Sequence, residues 1–312
     1  MGVVNTGLTL AGVKADFFDR MAATPSYWEA LTTRIVSSTQ KETYVFLGHV
    51  PLMRERIGGG RQLKGMYSEK YEVENAEYEA TVEVDQKELE DDQTGQIRIR
   101  VQEMAEAVAT FKDYLIEQLL INGETSGYDA YDGHPFISDA HESKQSGVQS
   151  NKLSYEAVDA SADNFTTAEF RAALGQAIAH MMTLKNESGQ PMRLGPTGLA
   201  IIVPPTAYIR ALEAINQPIV VGGSELASNV VQNVARVIAL AGLTDASKWY
   251  LAKTDQGVRP FIFQDRLPIE FGAVAEGSEE AFKTGKFLYG VRARFRLTFG
   301  YWQKCIRTDF TT

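Results

Sequence analysis

The amino-acid sequence predicts an α+β fold, and three patterns along the chain carry this prediction. Residues 41–92 comprise two extended arms around the glycine-rich tip Gly58-Gly59-Gly60, and the second arm alternates apolar and acidic residues. A run that starts at Ile97 repeats apolar residues in steps of three and four. Residues 286–307 alternate again, as a long strand with one polar face does. Strands on both sides of one long helix favour a mixed fold.

Composition restricts the class of protein. The chain has 312 residues, of which 44% are hydrophobic and 23% charged, so it can bury one large core or two smaller ones. Its formal net charge of -9 disfavours a protein whose main role is tight binding of the phosphate backbone of nucleic acid. The charge is compatible with a protein that encloses nucleic acid without binding it tightly. The single cysteine, Cys305, rules out a disulfide within the chain and fits a reducing compartment. We find neither a bilayer-spanning apolar run nor the apolar core of a signal peptide.

The first two segments of the chain have few means of stabilising themselves. Residues 1–40 allow only short amphipathic helices, which predicts a loosely attached N-terminal arm. Residues 41–90 predict a β-ribbon, and a two-stranded ribbon alone is marginal in water because it buries little surface. We therefore expect the ribbon to lie on another surface, and a neighbouring copy of the same protein is the natural candidate.

A long helix is predicted after the ribbon. Apolar residues recur on one of its faces, at Ile97, Val101, Met104, Val108, Phe111, Leu115 and Leu119. Asp91, Asp92 and Thr94 supply capping chemistry before it, and Asn122-Gly123 supplies a stop. A helix of this length measures roughly 40 Å, enough to run the length of an elongated subunit.

The remaining elements predict a small α/β unit and further strands. Residues 123–165 are rich in Gly, Asp, Ser and Asn, which indicates a long loop. A helix starts at Thr166, because Thr166 and Glu169 have the spacing of a capping box. The next predicted elements are a strand at 199–203, a helix at 206–215, a loop at 216–233 and strands at 237–240, 249–253 and 260–264.

One cluster offers the residue types of a metal or acid–base site, namely Asp132, His134, Asp139 and His141. Imidazole and carboxylate groups can bind zinc or activate a hydrolytic water. The cluster lies in a loop that contains the Asp-Gly and His-Pro steps of turns, and no other motif completes a metal site. We therefore expect a structural loop with no catalytic residue, no metal and no cofactor. A metal-dependent hydrolase that uses these four residues stays as an alternative.

Charged residues occur in single-sign blocks at separate places in the chain. They are Arg54, Arg56, Arg61 and Lys64 at the ribbon tip, Glu77, Glu79 and Glu83 in the ribbon stem, and Arg292, Arg294 and Arg296 on one face of the last strand. A solvated surface explains any single pair, because exposed pairs contribute little. Blocks of this kind also suit head-to-tail contact between copies, since complementary charge sets register and orientation. We expect all ten residues to make contacts between subunits, with the basic tip on an acidic surface of a neighbour.

Short motifs spread over most of the chain resemble one family. They are YVFLGHVPLMRE at 44–55, YEATVEVD at 78–85, EDDQTG at 90–95, YDGHPF at 131–136, DAH at 139–141, WYL at 249–251, RPFIFQ at 259–264, YGVRAR at 289–294 and GYWQ at 300–303. Each motif alone has little specificity, and together they occur in the expected order. The chain resembles the major head subunits of Mu-like tailed bacteriophages, which have the Hong Kong 97-type capsid fold.

The resemblance implies a shell protein with four parts. Residues 1–40 would be the N-terminal arm, and residues 41–90 would be an extended β-hairpin loop that lies over the adjacent subunit. Residues 91–125 and 258–312 would form the peripheral domain, with the long helix as its spine. Residues 126–257 would form the axial α/β domain.

The resemblance also implies a role. The chain would be a major capsid protein without enzymatic activity, assembled in the host cytoplasm and located in the virion. Its pentamers and hexamers would build an icosahedral shell that encloses double-stranded DNA without sequence-specific binding and without a membrane. Scaffolding, portal and decoration proteins are the further partners that it implies. An encapsulin-like protein compartment of the same fold stays as an alternative, next to the hydrolase.

Overall fold

The structure, a computed structural model, describes residues 10–45, 47, 71–85, 96–158, 161–222, 225–274 and 278–312. Within these ranges the chain forms a four-stranded sheet, a five-stranded sheet, two two-stranded ribbons and six α-helices. Helices and strands are mixed along the chain, so the predicted α+β class is confirmed.

The boundaries of the elements are as follows. The α-helices are α1 (Leu10–Ala23), α2 (Trp28–Leu31), α3 (Gln96–Ile121), α4 (Thr167–Thr183), α5 (Tyr208–Asn216) and α6 (Glu279–Thr284). The strands are β1 (Thr32–Val36), β2 (Lys41–Tyr44), β3 (Tyr71–Glu74), β4 (Ala76–Asp85), β5 (Lys152–Glu156), β6 (Leu199–Val203), β7 (Ile219–Gly222), β8 (Glu225–Ser228), β9 (Ala235–Ala239), β10 (Lys248–Lys253), β11 (Phe261–Val274), β12 (Lys286–Phe299) and β13 (Cys305–Thr311). Short 3-10 helices lie at Ala162–Asn164, Pro205–Ala207 and Trp302–Lys304.

The four-stranded sheet has the order β1-β11-β12-β4, and only its β1–β11 pair is parallel. Alternation along β12 explains how the sheet is oriented. Val291, Ala293 and Phe295 are buried, whereas Arg292 and Arg296 are exposed. The buried face packs against α3, and α1 lies along the same helix. The alternation predicted for the last long strand is confirmed.

Helix α3 spans 26 residues, and its apolar stripe confirms the predicted long helix. Its fully or nearly fully buried apolar residues are Ile97, Val101, Met104, Ala105, Ile116 and Leu120. The helix ends at Ile121, immediately before the predicted Asn122-Gly123 stop. The predicted capping residues Asp91, Asp92 and Thr94 lie outside the described ranges.

The five-stranded sheet has the order β5-β13-β10-β6-β9. Strand β6 is buried at every position, which explains its continuous apolar sequence. Helices α4 and α5 pack against each other, and α4 also contacts β10 and β13. The capping box at the start of α4 is present: Thr166 N donates to Glu169 Oε2 at 2.7 Å, and Glu169 N donates to Thr166 Oγ1 at 3.2 Å. The predicted small α/β unit is therefore confirmed.

The structure divides residues 258–312, which were expected to lie together in the peripheral domain. Strands β11 and β12 lie in the four-stranded sheet, whereas β13 pairs antiparallel with β10 and parallel with β5. Residues 305–308 of β13 are all buried, so this strand needs a sheet that is covered on both faces. The last strand therefore belongs to the five-stranded sheet and not to the sheet of β11 and β12.

The N-terminal arm is attached more firmly than the sequence predicts. Phe17 on α1 is fully buried, and Arg98 Nη2 on α3 lies 2.7 Å from Asp16 Oδ1. Further along α3, Asp113 Oδ1 accepts hydrogen bonds from the backbone N–H groups of Tyr27 and Trp28 at 3.0 and 2.7 Å. Strand β1 then pairs with β11. The expectation of a loosely attached arm is wrong for residues 10–36.

The ribbon finds partners within its own chain. Strands β2 and β3 pair with each other, and Tyr44 Oη donates to Gln264 Oε1 of β11 at 2.6 Å. The Tyr71 hydroxyl bonds the Thr298 hydroxyl of β12, also at 2.6 Å. Strand β4 pairs with β12 along its whole length. The ribbon thus lies on another surface, as expected, but for its described residues that surface is the sheet of its own chain and not the neighbouring copy that was the natural candidate. Residues 46, 48–70 and 86–90 lie outside the described ranges.

Two hydrophobic cores stabilise the molecule. The main core holds the five-stranded sheet with its helices and one end of the four-stranded sheet. The second core lies between α1, the first half of α3 and the other end of the four-stranded sheet. Ile269 of β11 packs against both cores. The four-stranded sheet and α3 thus connect two separately packed regions.

Candidate intersubunit surfaces

The outer face of the four-stranded sheet, defined as the face opposite α3, is covered at one end and open at the other. The base of the ribbon covers Gln264 and Thr298, which are buried. Toward the other end, edge strand β4 exposes Glu77, Glu79 and Glu83. This open part is a candidate contact surface, because an edge strand and an uncovered face both offer binding groups to another chain.

Strand register brings the predicted acidic stem and basic strand together. Arg292 lies opposite Glu79, and Arg294 lies opposite Glu77, in the β12–β4 pairing. Arg292 Nη2 is also 3.0 Å from Glu270 Oε2 on β11. Both members of the Arg292–Glu270 pair are more than half exposed, so such a pair contributes at most about 1 kcal/mol. Charge blocks that lie about two hundred residues apart in sequence thus lie side by side on one sheet.

Lys286 and Arg296 lie near the two ends of this charged face. Lys286 forms an ion pair with Glu83, and the hydrogen bond to this carboxylate raises the pKa of the Lys286 ammonium. Burial raises the pKa of Tyr78, and nearby Arg296 opposes the rise. These pairings do not by themselves require a neighbouring copy, so a role for the six sheet residues between subunits stays a prediction. Arg54, Arg56, Arg61 and Lys64 lie outside the described residues.

A trough crosses the open part of the outer face. Gly272 of β11, Gly290 of β12 and Thr81 of β4 are adjacent in register. A Cβ atom on Gly290 would stand 3.0 Å from Thr81 Oγ1, whereas one on Gly272 would meet nothing within 4 Å. The Arg292–Glu270 pair borders the trough on one side. A partner backbone can approach the sheet closely here. The two glycines lie on separate strands, so no local pattern indicates that they meet.

The predicted Asp/His cluster forms a buried structural pair. His141 Nδ1 lies 2.7 Å from Asp132 Oδ2, and both side chains are fully buried. His141 Nε2 faces the backbone oxygen of Phe136 at 3.3 Å. The imidazole also stacks on Trp302, with ring centroids 4.0 Å apart and ring planes within 4°. Protein groups thus occupy both ring nitrogens, which favours the structural loop over a metal ligand.

The other two members of the cluster do not converge on this pair. Asp139 is exposed, and the His134 ring centroid lies 6.2 Å from that of His141. Among the residues that the structure describes, no group of three or more His, Cys, Asp or Glu side chains is arranged to hold a metal ion. The hydrolase alternative therefore gains no support from the geometry.

Sequence inspection missed a second charged cluster, at the junction of the long loop and the five-stranded sheet. Arg307 of β13 is buried, and its Nη1 lies 2.7 Å from Glu124 Oε2. Its Nη2 donates to Asp309 Oδ2 at 2.8 Å, and Lys152 Nζ bonds the other oxygen of Glu124. Burial acts to raise the pKa of Glu124, but hydrogen bonds from Arg307 and Lys152 hold it at about 2. These charges fix the end of α3 to the second sheet.

Comparison with known families decides between the candidate classes. The profile of the family described as "Mu-like prophage major head subunit gpT" matches residues 8–168 and 241–310, which is well over half of the chain. The chain belongs to this family. The resemblance predicted from the short motifs is confirmed, and the protein is a major head subunit, located in the phage virion.

Two relatives agree with the family. The Mu-like prophage FluMu major head subunit of Haemophilus influenzae is 23% identical over 293 residues, which cover 94% of this chain and 69% of the relative. The major capsid protein of Escherichia phage Mu is 32% identical over 141 residues, which cover 43% of this chain and 45% of the relative. The second alignment thus spans less than half of either protein.

Solved structures identify the fold. The subunit in the procapsid of bacteriophage JBD30 is similar with a TM-score of 0.54 and 24% identity, over 97% of this chain and 76% of that one. The predicted Hong Kong 97-type capsid fold is confirmed. Family membership favours a phage head subunit over the encapsulin-like compartment, and the members of this family are structural proteins. Within its described residues, the chain contains no helix suited to crossing a membrane.

Proposed function

We propose that this head subunit self-assembles into a closed icosahedral shell that encloses double-stranded DNA. Membership of the major head subunit family over well over half of the chain is the observation that carries the proposal. The net charge of -9 is compatible with this proposal, because a shell confines DNA by its geometry and does not have to bind each phosphate group. Scaffolding, portal and decoration proteins are the proposed partners, and the proposed role includes no catalysis.

Negative-stain electron microscopy of the purified protein tests this function. Closed shells, or rings of five and six subunits, are the expected result. A protein that stays strictly monomeric across protein concentrations and salt conditions, including in the presence of its scaffolding protein, would contradict the proposal. Metal analysis of the same preparation addresses the hydrolase alternative, which requires stoichiometric zinc or manganese.

We further propose that the subunit comprises an extended loop, a peripheral domain and an axial domain. Residues 41–90 act as the extended loop, and residues 91–125 with β11 and β12 form the peripheral domain. Residues 126–257 form the axial domain, and strand β13 also belongs to this domain. The two sheets support this division, because the four-stranded sheet packs against α3 whereas the five-stranded sheet packs against α4.

The basic tip of the extended loop is proposed to contact the acidic edge of a neighbouring subunit. The ribbon base is tied to its own sheet through the Tyr44–Gln264 and Tyr71–Thr298 hydrogen bonds, so both ends of the loop start from a fixed place. Strand β4 is the sheet edge, and its exposed carboxylates form a column of negative charge. Opposite charges on loop and edge would set the register between copies.

Charge reversal at the tip tests this contact. The triple variant Arg54→Glu, Arg56→Glu and Arg61→Glu is expected to fold but to lose assembly by at least tenfold, because like charges then meet at the acidic edge. Circular dichroism reports folding, and sedimentation velocity reports assembly. The matched control replaces the same three residues with lysine, which keeps the charge, and it is expected to assemble. Normal assembly of the glutamate variant would contradict the proposed contact.

A further inference from the structure

The segment that precedes β1 lies on α3 without pairing with any strand. We call residues 10–31 the N-terminal strap; they comprise α1, a short connection and α2. Among the described residues, the chain first pairs with the four-stranded sheet at Thr32, where β1 begins. Apolar packing in the second core and two partly exposed ion pairs hold α1 on α3. The strap can therefore leave α3 without breaking the strand pairing of the sheet.

Asp113 of α3 supplies a cap that α2 lacks. The N-cap residue Tyr27 makes no side-chain capping bond of its own. The Asp113 carboxylate instead accepts hydrogen bonds from Tyr27 N at 3.0 Å and from Trp28 N at 2.7 Å, and Asp113 is only 8% exposed. Burial raises the pKa of this carboxyl group, and the two backbone hydrogen bonds oppose the rise. A helix of four residues is not stable alone, so the position of α2 depends on this carboxylate.

The neighbouring Lys112 places a cation beside the strap. Its Nζ lies 3.9 Å from the centroid of the Trp28 ring and 4.4 Å from that of the Phe263 ring. Among the described residues, this ammonium group has no hydrogen-bond acceptor and no ion-pair partner, and the nearest acid of the sheet, Asp265, is paired with Arg34. Aromatic faces attract a cation, but they replace its lost hydration only in part. The closed strap therefore holds an incompletely compensated charge.

Loss of hydration decides the sign of the Lys112 effect. Burial lowers the pKa of Lys112 to about 8; Arg34 acts in the same direction, and the carboxylates of Asp265 and Glu29 act against it. The closed strap thus favours the neutral amine, whereas opening returns the amine toward its ordinary pKa of 10.5. Closing therefore strengthens as the pH rises from about 8 toward 10.5, and below pH 8 the cation favours opening.

We propose that the N-terminal strap opens and closes on α3 as one unit, and that Lys112 and Asp113 form its latch. Asp113 holds α2 in the closed position, and the Lys112 cation favours opening. Helices α1 and α2 both contact α3 and are joined only by residues 24–27, so they move together. An open strap uncovers the second core on the side that Phe17 closes, so the latch sets how much apolar surface a subunit presents. This conformational switch does not depend on the shell function.

Amide hydrogen exchange of unassembled subunits, corrected for the intrinsic exchange rate at each pH, tests the latch. Protection of residues 10–31 is expected to rise about tenfold between pH 8 and pH 9.5, because Lys112 loses its proton. Lys112→Met, which keeps an unbranched side chain without the charge, is expected to raise this protection at least about threefold at pH 7 and to abolish its pH dependence. Lys14→Met, at an exposed lysine of the strap itself, is the matched control and is expected to keep the pH dependence.

Asp113→Ala is expected to act in the opposite direction and to lower the protection of α1 and α2 together by about tenfold at pH 7, with β12 unchanged. Opposite effects at adjacent residues distinguish a latch from general destabilisation, in which both variants lose protection everywhere. Strap protection that does not vary with pH, or a Lys112→Met variant that keeps the variation, would overturn the latch. Equal losses in β12 and α1 for Asp113→Ala would also overturn it. If Asp113→Ala does not fold, the pH series of the unmodified chain and of Lys112→Met decides alone.

Discussion

Single residues at the junction of the two sheets show how local charge secures the fold. Arg307 is buried, and its guanidinium pairs with Glu124, just beyond the end of α3, and with Asp309 on its own strand. A buried cation without such partners would be strongly destabilising. Glu124 therefore links the spine helix to the five-stranded sheet. The sequence could not predict this contact, because nothing near Glu124 marks which of the 31 basic residues lies beside it.

Replacing Glu124 by glutamine is expected to lower the free energy of unfolding at pH 7 by about 1 kcal/mol, since the pair is partly exposed. The carboxylate has its pKa lowered from 4.5 to about 2, so the stability it adds is complete above pH 4.5 and is lost as the pH falls toward 2. The difference between wild type and variant should thus shrink over that window. Denaturant unfolding at several pH values measures it.

Glu103→Gln, an exposed substitution on α3, is the matched control and is expected to leave stability unchanged at every pH. A Glu124→Gln variant that is as stable as the wild type at pH 7 would contradict the assigned role. A loss of stability that does not vary with pH would contradict the electrostatic explanation in particular.

Among the elements, those fixed by local pattern were predictable and those fixed by distant pairing were not. The apolar stripe of α3 and the capping box of α4 depend on residues three or four apart, and both appear as predicted. Alternation predicts strand β4, but its partner β12 lies about two hundred residues away. Alternation reveals that a strand has one wet face, and it does not reveal which strand lies beside it.

The same reason explains why the sequence does not predict which sheet β13 joins or how firmly the N-terminal arm is attached. The local pattern of β13 fits a place beside β10 or beside β12, and the packed molecule pairs it with β10. The local pattern of the N-terminal arm fits exposure to solvent or packing on α3, and α1 packs on α3. Charge alone identifies the ten predicted contact residues. The six in the described part of the chain meet on one face, which sequence order conceals.

The base of the ribbon is the element that the structure ties down most specifically. Tyr44→Phe removes the donor to Gln264 Oε1, an acceptor on a fully buried side chain, and is expected to cost about 1–3 kcal/mol. Amide hydrogen exchange in β2 and β3 should accelerate, because their attachment to the sheet weakens. Exchange in β6, which lies in the other sheet, should not change. Tyr114→Phe, at a half-exposed phenol on α3, is the control, and identical exchange in both variants would refute the role of this bond.

For the whole molecule, the arrangement of exposed groups explains how a net charge of -9 can coexist with self-association. The net negative charge makes copies repel one another. At 0.1 M ionic strength, salt screens this repulsion at distances beyond about 10 Å. Contact then depends on local features, which include an acidic sheet edge and a trough beside it. These features lie on the four-stranded sheet, so the proposed assembly contacts concentrate on one of the two large sheets.

Covering of the open sheet face should be measurable when subunits assemble. Deuterium uptake of Ala76–Asp85 is expected to fall at least severalfold in shells relative to isolated subunits, because a neighbour would then cover the edge strand and its acidic column. Strand β6 is buried at every position already, so its uptake should be the same in both states, and it serves as the internal control. If Ala76–Asp85 exchanges equally fast in shells and in isolated subunits, the outer face is not an interface, and the charged rows across it act only within the subunit.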